Sequence, residues 1–575
     1  MQNQNRASMR KNLLPVLILL AIPYLGIAQV FSNLDFEYGV YKAQPRKWAI
    51  EGEGENYSAR LDSLNSKNGN KSLYVTVKNA RVFIFLSIPG QLIAGKDIQV
   101  EGYFKSSSSD SLQAMLMFRN PNGGRPIPSQ PNNSKSKEWQ IISHQASFPN
   151  NYSSDRLLIA LMANGTGRFW FDNVKIKIDG QEYGNGHPDF REPTKKEIET
   201  LDKRILPIKS LEPNSTNKDL IPLKNIIGIS TIVALGENSH GSSSIYKLKL
   251  RMVKYMVENE GFSIFALESP TVEADKINEY VSFGKGTIEE VIKDLVYPSW
   301  QTQEMIDIIQ WMKSYNQGAK EKIEFRGFDM QNGLSALRAV EDFAKINDST
   351  LTASLLELDK LYSEPTKDDQ KWKLIVQKSD EINLYLTSKK YSGADLKYFE
   401  KIKHYMNIFS QSLSSDYKSE KAKTRDEYMA QNINWLVKNS GDDVKMILSA
   451  DNTHITKASG KMGYFLKDWY GDKYLTFGFT YSKGSYAAYG PEKHYEVHPS
   501  FVGTYEYYFS KSKFKNYFLD IKSITDIDIL NHPAGFRSIG SRPQETTQFT
   551  EINLKNHFDV IVYLENSLHT DNLIK

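Results

Sequence analysis

The chain has 575 residues, 72 Lys and Arg against 68 Asp and Glu, and no cysteine. That length exceeds one ordinary hydrophobic core, so more than one domain is expected. Zero cysteine excludes disulfides, thiolate nucleophiles, Cys-ligated zinc and iron–sulfur clusters, and a net charge of +4 creates no strong field for a nucleic-acid partner.

Arg6, Arg10 and Lys11 precede the apolar run Leu13–Leu25, and Gly26 and Ala28 follow. A basic start, a short apolar run and a small-x-small site describe a secretory signal over residues 1–28. The run is short and broken by Pro15 and Pro23, so no stable membrane insertion is expected after cleavage. Removing three positive charges leaves the mature chain near about +1. The expected location is the periplasm or the medium of a bacterium.

Residues 29–178 read as a β-sandwich. Short apolar or alternating runs recur between Gly, Asn and Ser turns: Leu73–Val77, Val82–Ile88, Ile98–Phe104, Gln113–Phe118, Leu157–Met162 and Phe169–Ile176. Residues 179–195, rich in Gly, Asn, Pro and charges, are expected to be a linker.

From 196 to 575 apolar strands alternate with helical patterns. Predicted strands are Thr231–Leu235, Ile264–Leu267, Ile323–Phe328, Met446–Ser449, Leu475–Phe479 and Val560–Tyr563. Ile245, Leu248, Met252, Tyr255 and Met256 form one buried helical stripe between the first two. Such repetition predicts an α/β fold: a three-layer α/β/α core with a mostly parallel sheet. Residues 334–440 read as a helical insertion over the sheet edge. The aromatic crowding at Tyr505, Tyr507, Tyr508, Phe509, Phe514, Tyr517 and Phe518 reads as core packing.

The GxSxG elbow, HExxH and P-loop patterns are missing. Polar residues instead follow the strands: Glu237 and His240 after the first, Glu268 after the second, Asp329 and Gln331 after the third, Asp451, Asn452 and His454 after the fourth. A parallel sheet delivers such positions to one crevice at the carboxyl ends of its strands. His240, in a loop leading into a helix and flanked by Glu237 and Glu268, suits a base that takes a proton from water. His454 suits a group that polarises a carbonyl or protonates a leaving alkoxide. Arg251 is the candidate anchor for a substrate carboxylate or oxyanion. Two histidines among carboxylates also leave a metal-dependent hydrolase open.

These residues carry a resemblance to the erythromycin esterase family over about 196–565. The segments are ALGENSHGSSSIYKLKLRMVKYMVENEGFSIFALESP (234–270), IIQWMKSYNQ (308–317), FRGFDMQ (325–331), RDEYMAQNINWL (425–436), SADNTHI (449–455), GDKYLTFGFTYSKGSY (471–486), and the late GTYEYYF and FRSIG. The resemblance implies a metal-independent ester hydrolase without a cofactor, with His240, Glu237, Glu268 and His454 catalytic. Arg251, Asp329, Gln331, Asp451, Asn452 and Arg425 become candidates for the substrate side, and Arg425 with Asp426 has a plainer reading as a structural pair. Asp451 stands where the antibiotic-resistance members carry His, which changes charge and donor capacity. Macrolide hydrolysis therefore does not follow from the likeness.

NLDFEYG (33–39), PRKW (45–48) and FWFDNVKI (169–176) make the sandwich similar to galactose-binding-like carbohydrate modules. That likeness implies a glycan ligand and a structural calcium with Glu37 and Asp172 as its candidates. The leading expectation is an exported hydrolase of carboxylic esters or lactones, on a small-molecule or glycosylated substrate. The rival is a glycan-binding or surface polysaccharide-processing protein whose esterase site is degenerate.

Overall fold

A computed structural model describes residues 32–573 apart from a few single positions and short stretches, chiefly 38–39, 42–43, 53–55, 108–112, 122–124, 130–136, 185–191, 365–367, 391–394, 418–421 and 544–547. The expected signal segment, 1–28, lies outside the described residues. The chain divides into two compact units, Met1–Pro188 and Asp189–Lys575.

The first unit is an antiparallel β-sandwich built on two long strands, Ser72–Pro89 and Arg156–Ile178. They pair from Arg156 opposite Pro89 to Phe171 opposite Leu73, with a register irregularity between Gly165 and Gly167. The four apolar runs expected as separate strands are therefore two strands, each interrupted by a polar bend. A bulge keeps the chain in the ladder while turning it, and both glycines adopt positive φ there. Trp48–Gly52 and Gln113–Arg119 flank one half of the long pair. Tyr57–Asp62 and Asp97–Ser106 flank the other, and Gln140–Ser147 pairs with the latter strand. Val75, Ile84, Leu116, Ile159, Phe169 and Phe171 fill the space between the halves. Part of the expected linker is structured: Gln181–Tyr183 returns antiparallel onto Ile176–Ile178, and a helix starts at Lys195 under a Thr194–Glu197 capping box.

The second unit is a three-layer α/β/α domain. Its sheet runs in the order Leu206–Pro207, Asn516–Asp520, Val560–Ser567, Tyr474–Tyr486, Ile232–Leu235, Met446–Ser449, Ile264–Pro270 and Glu324–Asp329. The last six strands are mutually parallel and the first two join antiparallel. Alternate residues face opposite cores. Val233, Leu235, Phe265 and Leu267 pack with Leu248, Met252 and Met256 of the helix Ser243–Glu260. Ile232, Ala234, Ile264 and Ala266 pack with Met429, Ile433 and Leu436 of the helix Arg425–Ser440. Strands buried on both faces read as continuous apolar runs, which is why their positions are legible in the sequence.

Helices Gly333–Asn347, Ser349–Ser363, Asp369–Ser388 and Asp395–Tyr417 follow the edge strand Glu324–Asp329. Their own core of Leu337, Phe343, Ile402 and Phe409 reaches the sheet domain through Val272 and Met330. Tyr505, Phe509 and Tyr517 lie in the main core, as their crowding implied.

Candidate functional site

The loop after Ile232–Leu235 carries Glu237 and His240, and Ser242 then caps the helix Ser243–Glu260 through the Ile245 amide. The late FRSIG segment holds this loop in place. Ile539 N and Gly540 N donate to the Asn238 carbonyl, and His240 N donates to the Gly540 carbonyl. Arg537, fully buried, anchors that segment by donating to the carbonyls of Tyr481, Ser482 and His498 and to Gln548 Oε1.

Glu237 is fully buried, and both its oxygens are engaged. Oε1 meets His240 Nδ1 at 2.8 Å and accepts from Tyr246 Oη at 2.8 Å. Oε2 pairs with Lys249 Nζ, which also donates to Ser449 Oγ at 3.0 Å. Burial raises the carboxyl pKa, but Lys249 and His240 outweigh it and the net shift is downward. Burial likewise opposes charge on His240. The hydrogen bond and charge of Glu237, with the charges of Asp451 and Glu268, overcome it and lift the imidazole to about 9. Trp300 stands edge-on to this ring, 5.0 Å between centroids.

A second histidine–carboxylate pair is formed between two helices, with Asp426 on Arg425–Ser440. His454 lies in the one-turn helix Asn452–Ile455 after Met446–Ser449. Its Nδ1 is 2.8 Å from Asp426 Oδ1, and its Nε2 is 3.3 Å from Glu268 Oε1 and 3.2 Å from Arg425 Nη1. Burial opposes the charged ring, but Glu268 and Asp426 raise its pKa. Glu268 is bonded within this second group and acts on His240 through charge: Oε1 accepts from Arg425 Nη2 at 2.9 Å and Oε2 from the Asp451 amide at 3.0 Å. Burial pushes its pKa up, but the charges of His454, Arg425 and His240 draw it down to about 2. The Asp451 carboxyl moves the other way, raised by burial and the nearby Glu268 against the pull of both histidines.

Glu237, His240, Glu268, Asp329, Arg425, Asp451 and His454 thus belong to one connected polar network. Asp329 is fully buried and grips Arg425 from both oxygens, at 3.1 Å to Nε and 2.8 Å to Nη2. Arg425 and Asp426 do not pair with each other. Consecutive residues on a helix point about 100° apart, so Arg425 reaches Asp329 and Glu268 while Asp426 reaches His454.

Three substrate-side expectations change. Arg251 is fully buried away from the network, ion-paired with Asp219 and donating to the carbonyls of Ser210 and Thr216. It pins the 210–219 segment to the helix and is not an anion anchor for substrate. Asn452 clamps two strand ends: its amide donates to the Phe479 carbonyl at 2.8 Å and accepts from the Phe479 amide at 3.1 Å. Gln331 is exposed and accepts from Tyr297 Oη at 2.5 Å. Lys249, Tyr246, Trp300 and Tyr297 carry no sequence signature of their own. The one available hint is a lysine set between Leu248 and Leu250 of a helix that leads away from His240.

Among the described residues no group of three or more His, Asp or Glu side chains is arranged to hold a metal ion. In the sandwich Glu37 and Asp172 do converge on one loop, but as acceptors. Glu37 Oε1 takes the amides of Asn70 and Lys71 at 2.6 and 2.7 Å, and Asp172 Oδ2 those of Lys67 and Asn68 at 2.5 and 3.1 Å. Burial and the neighbouring Glu37 charge push Asp172 up to about 6, against the pull of these amides. Two carboxylates facing N–H donors do not fit a calcium site, which requires a shell of six to eight oxygens.

The erythromycin esterase family model matches residues 257–567. The chain is 30% identical over 341 residues to erythromycin esterase type II of Escherichia coli, covering 51% of this chain and 78% of that protein. It is 25% identical over 284 residues to a putative hydrolase of Bacillus subtilis (strain 168), covering 44% and 62%. Among solved structures, a succinoglycan biosynthesis protein superposes with a TM-score of 0.57 at 26% identity, covering 66% of this chain and 98% of that one. An erythromycin esterase mutant in its open conformation superposes at 0.50 with 20% identity, covering 64% and 98%, and shares the fold. The chain belongs to the erythromycin esterase family.

Proposed function

We propose that the α/β domain hydrolyses a carboxylic ester or lactone with water as the nucleophile and no metal. The observation that carries this reading is the pair of histidine–carboxylate dyads, with the buried charge of Glu268 acting on both imidazoles. Neutral His240, held by Glu237 at Nδ1, takes a proton from water at Nε2 as the water oxygen attacks the carbonyl carbon. Cationic His454 then donates a proton to the leaving alkoxide as the C–O bond breaks. The products are one acid and one alcohol. Arg425 is held by Asp329 and Glu268, and so orders these two carboxylates.

Turnover of a panel of aliphatic, aryl and lactone esters by the full chain, with and without chelator, tests the reading. Hydrolysis retained in chelator and lost in His240→Ala supports it. Absence of turnover across the panel, or dependence on added metal, overturns it.

Removal of residues 1–28 on export is part of the same proposal, and N-terminal sequencing of the mature protein checks it. Among the described residues no helix is long and apolar enough to cross a membrane.

A glycosylated substrate is favoured by one surface of the sandwich. Half-buried Tyr74, Trp139 and Trp170 lie close together with basic side chains between them. Tyr74 and Trp170 are 5.0 Å apart, and Lys105 Nζ lies 5.1 Å from both Trp139 and Trp170. Aromatic faces beside polar donors suit the apolar faces and hydroxyls of sugars. Glycan-array binding that is lost in Trp170→Ala supports this ligand, and the absence of binding to any glycan rejects it.

A further inference from the structure

The strands Ile264–Pro270 and Glu324–Asp329 deliver Glu268 and Asp329 at their carboxyl ends. Near their opposite ends lies a second cavity of about 150 Å³, whose lining includes Ser263, Ile264 and Glu324. None of its lining residues belongs to the hydrolytic network. The volume is below that of a pocket for a drug-sized ligand and suits one small ion or molecule.

His404, on the helix Asp395–Tyr417, lines this cavity and is 3% exposed. It stacks flat on Trp435, 3.8 Å between centroids and 2° between planes. Neither ring nitrogen has a hydrogen-bond partner. A buried polar group left without a partner is destabilising, and a ligand that pairs with it removes that cost. Burial keeps this ring neutral, down to about 3, so it offers one N–H donor and one acceptor.

The charges around it are unequal. Lys322, Arg326, Lys397 and Lys401 line the cavity against Asp275 and Glu324, leaving two positive charges in excess. Asp275 is occupied by Arg326 at 2.6 Å, Tyr405 Oη at 2.6 Å and Lys401 at 3.4 Å. Glu324 is held by Arg326 at 2.6 Å. Arg326 and Lys401 thus neutralise the two carboxylates within the wall, and the charge in excess is that of Lys322 and Lys397.

We propose that this cavity binds a small dianionic oxyanion of the phosphate or dicarboxylate type, with the His404 ring N–H as its buried donor and Lys322 and Lys397 as its counter-charges. A neutral donor at the floor and cations at the mouth stabilise a doubly charged oxygen ligand without an intrinsic net-charge penalty. A neutral sugar would leave the lysine charge unused, and a cation would meet it directly.

Isothermal titration of the full chain with inorganic phosphate, and separately with succinate, at constant ionic strength in chloride, tests this. One saturable site for either anion is expected, and whichever binds identifies the ligand type. His404→Phe retains the stack on Trp435 and removes both nitrogens; it should weaken binding about tenfold or more. Lys397→Gln, at an exposed position that leaves the core intact, should do the same. His240→Ala should leave the affinity unchanged, which separates this site from the hydrolytic cleft. Absence of saturable binding by both anions overturns the proposal. So does affinity unaltered by both His404→Phe and Lys397→Gln, or binding abolished by His240→Ala.

Discussion

His240 Nδ1 sits 2.8 Å from Glu237 Oε1, and the other oxygen of the same buried carboxylate is held by Lys249. The imidazole is therefore oriented by a carboxylate that cannot move or protonate easily. His454 and Asp426 repeat the arrangement at the same 2.8 Å from another pair of elements. The remaining nitrogen of His454 lies 3.3 Å from Glu268 Oε1, and the charges of Glu268 and Asp451 act on His240.

His240→Ala removes the proposed base while leaving Glu237 paired with Lys249. A positioned general base contributes about 10²–10⁴ in rate, so kcat should fall by at least about 10². Circular dichroism should be unchanged. A variant that keeps wild-type kcat on the best ester of the panel would remove His240 from the mechanism.

The rate should rise with pH. His240 lifted to about 9 is almost wholly protonated at neutral pH, and only its neutral form accepts a proton from water. The kcat/KM profile should climb through pH 7–8, stand at half its plateau at about 9 and level above that. Asp451 is one source of that lift, so Asp451→Asn should move the limb to lower pH. A limb that stays in place, or moves upward, contradicts the charge argument.

Acid should destabilise the domain partly through Glu268. Its folded pKa of about 2 lies below the ordinary 4.5. The carboxylate's contribution is therefore complete above about 4.5 and is lost as pH falls towards about 2. In urea titrations between pH 3 and 6, Glu268→Gln should show a shallower acid dependence than the parent, from a lower stability at pH 6.

Arg425→Met leaves Asp329 and Glu268 buried with a lost partner. Breaking a buried ion pair from one side costs roughly 3–5 kcal/mol. The midpoint of denaturation should fall accordingly, and Arg425→Lys should recover only part, because an ammonium cannot match the two-pronged contact with Asp329.

Asn452→Ala should destabilise the sheet end by roughly 2–4 kcal/mol, since it unpairs both the amide and the carbonyl of buried Phe479. Arg251→Ala should lower stability while leaving KM unchanged, because its guanidinium holds Asp219 and the 210–219 segment. A raised KM with unaltered stability would restore Arg251 to the substrate side.

Much of the fold is legible in the chain. Strands buried on both faces, such as Ile232–Leu235 and Met446–Ser449, must be apolar throughout, and the helix between the first two strands shows its stripe. The sandwich is less legible. Runs 73–77 and 82–88 look separate because the polar bend interrupts the alternation, and the ladder continues through it. The Trp48–Gly52, Tyr57–Asp62 and Gln140–Ser147 strands are less legible because most of their inward positions are only half-buried and accept small or polar residues such as Ala59, His144 and Ala146.

Sequence alone determined which strand ends carry Glu237, His240, Glu268, Asp329, Asp451 and His454, because a parallel sheet collects those ends on one side. Tertiary structure decided which side chains meet. Arg251 and Arg425 are equally basic residues on equally amphipathic helices. The first faces Asp219 and the second faces Asp329 and Glu268. Lys249 became part of the His240 arrangement only because a buried Glu237 requires a buried cation, a condition set by burial that no local spacing records.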